Sequence, residues 1–127
     1  MMNRAEPPVS ARSEAVSSLP VAPWFVSIQA RFRDSILNRV MAFETLRTDI
    51  ESGRDPDQAL ESIAGLAHMI SGVAETLGYP RSGNLAAEVE VCILDGQSAG
   101  ASPGDTWRRL QPLLDALLDE LEGLLDD

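Results

Sequence analysis

The chain has 127 residues, enough for one domain with a modest core; 44 % are hydrophobic but only 5 % aromatic. That balance excludes a disordered chain and favours helices packed with Leu, Ala, Ile and Val over a β-sheet. A formal net charge of −10 repels nucleic acid and anionic lipid, so neither is an expected partner, and like charge favours a monomer.

Residues 1 to 22 are rich in Pro, Ser, Ala and mixed charge without periodicity, and a flexible N-terminal tail is expected there. They lack the compact apolar stretch of a signal peptide, and no apolar run in the chain approaches the ~20 residues that span a bilayer. A cytoplasmic location is expected. The remainder, 23–127, reads as a single helical bundle.

From Trp24 onward Phe25, Ile28, Phe32, Ile36, Val40, Phe43 and Ile50 recur at helical spacing. Arg47 interrupts this stripe, where Leu46 can substitute. The run ends at Ser52-Gly53. Asp55-Pro56-Asp57-Gln58 then signals a second start: an N-cap acid, Pro at the first helical position and Gln at the third. Leu60, Ile63, Ala67, Ile70, Ala74 and Leu77 form its apolar face, and Gly78 and Pro80 close it. A shorter third helix carries Leu85, Val89, Cys92 and Ile93 and ends near Asp95-Gly96, with a flexible link over 97–104. Cys92, the single cysteine, is expected as a buried and inert thiol; one cysteine forms no internal disulfide. Ser102-Pro103-Gly104-Asp105 opens a fourth helix with Trp107, Leu110, Leu114, Leu117, Leu121 and Leu124 on one face, and Pro112 as a candidate bend. Four amphipathic helices with short links give an all-α, antiparallel four-helix bundle.

The one histidine of the chain, His68, falls mid-way along the second helix. It lies about 130° from the centre of that helix's apolar arc, facing solvent. Its neighbours one turn away are Ala64, Gly65, Ser71 and Gly72, all small. Two glycines inside a helix cost about 1 kcal/mol each relative to Ala, an odd choice for a plain solvated face. They leave the imidazole standing proud, where another protein's backbone can approach. A neutral imidazole is a competent nucleophile near pH 7 and can hold a phosphoryl group as a phosphoramidate. The charge stabilisation such transfer needs would come from a partner's Mg²⁺ and lysine. A plain surface histidine is the competing reading. A metal site lacks a second His at the right spacing. Ser-His-acid catalysis lacks a nucleophile elbow. The chain contains no Lys and no phosphate-binding loop, so neither ATPase nor kinase activity, and no cofactor, is expected.

The segment Ala67-His68-Met69-Ile70-Ser71-Gly72-Val73-Ala74-Glu75-Thr76-Leu77-Gly78 resembles the histidine-containing phosphotransfer (HPt) family motif, A-H-x-L-K-G-x-A-x-x-L-G. Ala67, His68, Gly72, Ala74, Leu77 and Gly78 match it, and Ile70 does so loosely. Leu85 and Val89-Glu90 stand where that family carries a Leu and a Leu-Glu pair in the next helix. The resemblance implies that His68 is the phosphorylated residue of a phosphorelay intermediate. It implies Gly72 as clearance for a docking receiver domain, and the receiver of a hybrid histidine kinase or a response regulator as partner. Ser71 departs from the family's Lys, and Arg81 is the candidate for supporting charge. Two alternatives accompany this reading: a phosphorylation-silent module that binds receivers, and a helical adaptor.

Overall fold

The computed structural model describes residues 22–126, so the tail expected over 1–22 lies outside the described residues except for Ala22. Four helices fill this span: α1 (Pro23–Glu51), α2 (Pro56–Thr76), α3 (Pro80–Ser98) and α4 (Pro103–Gly123). They form an antiparallel four-helix bundle. Each neighbour in the order α1, α2, α3, α4 packs on the next, α4 closes on α1, and α2 also touches α4 across the core. No contact joins α1 to α3, so the two flank α2 on opposite sides.

Every helix begins with Pro at its first or second position, where a missing N–H costs nothing. Both α1 and α2 end at a glycine in the left-handed region, Gly53 (φ 77°) and Gly78 (φ 88°). In each case the next amide reaches back five residues: Arg54 N to Asp49 O at 2.8 Å and Tyr79 N to Ala74 O at 2.8 Å. These are the C-terminal turns that the sequence signalled. Ser102 caps α4 by accepting from the Asp105 N–H at 3.1 Å.

Other starts and stops differ from the sequence reading. Asp55 occupies the N-cap position of α2, but its backbone is left-handed (φ 42°) and its side chain makes no capping bond. The following Pro56 disfavours the right-handed helical region at Asp55, and Asp is among the few residues that tolerate the left-handed alternative. The third helix runs on to Ser98, so the link before α4 is only residues 99–102. Pro112 sits within α4 on the exposed side and does not delay its start.

The core is aliphatic apart from Phe32 and Phe43, and Ile36, Ile63, Ile70, Ile93, Leu110, Leu114, Leu117 and Leu121 are fully enclosed. Each such side chain contributes about 1.5–3 kcal/mol by leaving water. Arg47, the charge on the apolar stripe of α1, is accounted for by α4. Its Nη2 meets Asp115 Oδ1 at 2.6 Å and its guanidinium lies 5.8 Å from the Trp107 ring centroid. Burial works against that charge, but Asp115 offsets it and the Arg47 pKa stays raised. Cys92 is half-buried rather than buried; burial pushes its thiol pKa upward, a shift opposed by Arg109, and a thiol so held is a poor nucleophile.

Candidate functional site

His68 projects from the middle of α2 with its side chain 74 % exposed, on the solvent side as its angular position required. α3 reaches it from one flank. Glu90 Oε1 and Oε2 stand 3.1 Å and 3.0 Å from His68 Nδ1. A carboxylate can only accept, so the contact favours the tautomer with the proton on Nδ1 and the lone pair on Nε2. The Glu90 side chain is itself only 22 % exposed, which restricts its rotation. The pair acts as a bracket that holds one ring nitrogen and frees the other.

The small residues around His68 divide into two kinds. Gly65 and Gly72 are exposed, and a Cβ added to either would meet nothing within 4 Å. Ala64, expected on the same open face, is buried at 8 % exposure. Ala64 is therefore a core residue of α2 rather than part of the open face. Ser71 is half-buried, and its hydroxyl donates to its own helix at His68 O, 3.0 Å away. Arg81, the expected charge support, pairs instead with α4: its Nε lies 2.9 Å from Glu120 Oε1. It sits in the first turn of α3, at the end of the bundle, whereas His68 is mid-helix.

Beside the imidazole runs a shallow groove of about 440 Å³ lined by Ile28, His68, Met69, Gly72, Val73, Thr76 and Leu77. Ile28 was expected in the core but remains 40 % exposed, and Met69 is 50 % exposed. Gln29 Nε2 donates to Leu77 O at 2.8 Å, satisfying a carbonyl at the end of α2 and pinning α1 along this side of the groove.

Sequence reasoning placed Glu90 in the third helix without seeing that it meets His68. The signal was available in the numbering. Residues 68 and 90 are equidistant from Tyr79 in the α2–α3 turn, and an antiparallel helical hairpin brings such pairs to the same level. The apolar groove gave no comparable signal, because Ile28 reads as part of the core stripe. Among the described residues, no group of three or more His, Cys, Asp or Glu side chains is placed to hold a metal ion, and no helix is long and apolar enough to cross a membrane.

The family model described as "Hpt domain" matches residues 30–126, covering all of α2, α3 and α4 and most of α1. The chain belongs to the Hpt domain family. Neither the curated proteins nor the solved structures compared with it give a match. Membership assigns the chain to histidine phosphotransfer in phosphorelays, where Hpt domains deal with receiver domains. It also agrees with the four-helix architecture reached from the helical periodicities.

Proposed function

We propose that this Hpt domain is a phosphorelay carrier that accepts a phosphoryl group on His68 Nε2 and passes it on. In the incoming step the Nε2 lone pair attacks the phosphorus of a receiver's aspartyl phosphate. The P–Nε2 bond forms, the P–O bond to the aspartate breaks, and the aspartate leaves as a carboxylate. The imidazole becomes cationic while Nδ1 keeps its proton, and Glu90 stabilises that charge through the Nδ1–H bond. The outgoing step is the reverse, onto the aspartate of a second receiver.

The observation that carries this reading is the combination of a carboxylate on Nδ1 with an open, glycine-lined approach to Nε2. An ordinary surface histidine needs neither. Phosphoryl transfer demands in-line geometry more than covalent chemistry from the carrier, and the bracket supplies orientation. The receiver is proposed to seat on the groove between α1 and α2, with Gly65 and Gly72 admitting its backbone. The partners are then the receiver of a hybrid histidine kinase and that of a response regulator, met by a monomeric carrier in the cytoplasm. Mg²⁺ and a lysine belong to the receiver; this chain brings only the positioned imidazole.

The test is incubation with a phosphorylated receiver. Acid-labile, alkali-stable phosphate is expected on the wild-type chain and none on His68→Gln. A wild-type chain that binds the receiver yet takes no phosphate would favour the docking-only alternative, for which the Ser71 departure is the motive. Label surviving in His68→Gln would overturn the assignment.

A further inference from the structure

We propose that Arg39 of α1 supplies the cation of the phosphorylated site, pairing with phosphoryl oxygens carried on His68. This rests on the reading of His68 as the phosphoryl acceptor. It concerns what holds the charge once it arrives. A dianionic phosphoryl group on a chain of net charge −10 needs a cation near it, and α2 provides none. Its candidate position holds Ser71, whose hydroxyl is turned back onto His68 O. Arg81 is committed to Glu120.

Arg39 stands on the other side of the site. Glu90 approaches His68 from α3, and Arg39 approaches from α1, the helix on the opposite flank of α2. Its Nη1 lies 3.5 Å from Sδ of Met69, the residue next to His68. A thioether is a weak acceptor, so this contact holds the guanidinium in place without satisfying it. Its Nε donates to Ser35 Oγ at 2.9 Å, the Ser35 hydroxyl donates to Phe32 O at 2.7 Å, and the guanidinium lies 5.8 Å from the Phe32 ring centroid. The side chain is therefore anchored at Nε and placed over an aromatic ring, with Nη1 against Met69, a residue that lines the groove.

What is missing is a carboxylate. Arg47, Arg54, Arg81 and Arg108 each pair with one; among the described residues Arg31, Arg33, Arg39 and Arg109 pair with none, and of these four only Arg39 is half-buried rather than exposed. On a chain with 20 acidic and 10 basic residues, a half-buried and pre-organised guanidinium without an acid is a site kept for an anion. The guanidinium fork matches a phosphoryl group in geometry and charge. Exchange of Met69 Sδ for a phosphoryl oxygen would move the guanidinium between consecutive residues of α2, Met69 and His68. It also trades a weak acceptor for a strong one.

The probe is phosphoramidate, a small phosphoryl donor that needs no receiver, with ³¹P NMR on the full chain. The pH titration of the histidine-bound phosphoryl signal reads the local charge, which a merely structural role for Arg39 would not move. A nearby cation favours the dianion, so Arg39→Gln is expected to raise the titration midpoint by about half a pH unit. Arg39→Lys, which keeps the charge, is expected to recover at least half of that shift. Transfer from a phosphorylated receiver should fall about two- to fivefold in Arg39→Gln. An unchanged midpoint in Arg39→Gln, or a shift in Arg39→Lys as large as in Arg39→Gln, would overturn the role of Arg39 while leaving His68 as acceptor. No histidine-bound signal in wild type would overturn the reading beneath it, and the Arg39 proposal with it.

Discussion

Two pairs of glycines lie within α2 and α3, and they answer to different demands. Gly83 and Gly96 of α3 are buried at the seams with α2 and α4. A Cβ at Gly83 would stand 3.2 Å from Ser71 O; one at Gly96 would run into Thr106 Oγ1 and come within 3.1 Å of its Cγ2. Gly65 and Gly72 of α2 face empty space. All four lower helix propensity by about 1 kcal/mol relative to Ala. At the α3 seams that cost is offset by close approach of the helices, a gain internal to the fold. On the open face of α2 nothing among the described residues offsets it. On the function proposed above, the compensation for Gly65 and Gly72 is a partner's approach to His68, and the open face is an interface in waiting.

The largest expected effect separates the two pairs directly. Gly96→Leu should destabilise the bundle by about 3 kcal/mol or more through overpacking, lowering Tm by more than about 10 °C. Gly72→Leu should leave Tm unchanged or raise it, since about 1 kcal/mol of propensity is recovered. Its phosphotransfer should nonetheless fall about tenfold or more, because a side chain beside His68 displaces the receiver from in-line geometry. Thermal unfolding and transfer kinetics on both variants make the check. Equal Tm losses would erase the distinction, and wild-type transfer in Gly72→Leu would remove the docking role.

A middle-sized effect falls on the bracket. Glu90→Ala removes the acceptor of the Nδ1 proton and should slow transfer about five- to tenfold, the worth of one charge-assisted hydrogen bond at a largely exposed imidazole. Glu90→Gln keeps an acceptor oxygen and should lose less. Single-turnover rates from a phosphorylated receiver would measure both. A Glu90→Ala rate equal to wild type would mean that the contact with His68 does not orient the ring.

The smallest effect is expected at Ser71. Ser71→Lys adds a surface cation one turn from His68, worth about 0.5–1 kcal/mol, or roughly two- to fivefold in rate. If Arg39 already serves the phosphoryl group, the gain should lie at the lower end in wild type and be larger in an Arg39→Gln background. Equal gains in both backgrounds would indicate that the two cations act independently.

Much of this architecture was legible in the sequence, for identifiable reasons. The 3.6-residue period of α2 put Ile63, Ala67, Ile70 and Ala74 inside and His68 outside, and the chain obeys it. Gly53, Gly78 and Ser102 marked helix ends because their backbone or side-chain chemistry is particular to those positions. What escaped was whatever depends on the girth of neighbouring helices. Ala64 reads as exposed on a wheel with a single core direction. In the bundle α2 touches three helices, and Ala64 is enclosed. Ile28 reads as core from its own helix, yet α1 leaves it partly exposed beside the groove. Arg81 reads as near the site along the chain, whereas its first-turn position on α3 turns it toward Glu120. The two contacts that shape the site, His68 with Glu90 and Met69 with Arg39, are long-range in sequence. Both nonetheless join residues equidistant from a hairpin turn: Tyr79 for the first and Arg54 for the second.

The central claim is that the bracket on Nδ1 makes Nε2 of His68 the phosphoryl acceptor. The most direct measurement is the regiochemistry of the product after labelling from a phosphorylated receiver, read from ³¹P–¹H coupling to the imidazole ring protons. Phosphate on Nε2 of His68 is the expected result. Phosphate on Nδ1, or on another residue, would contradict it.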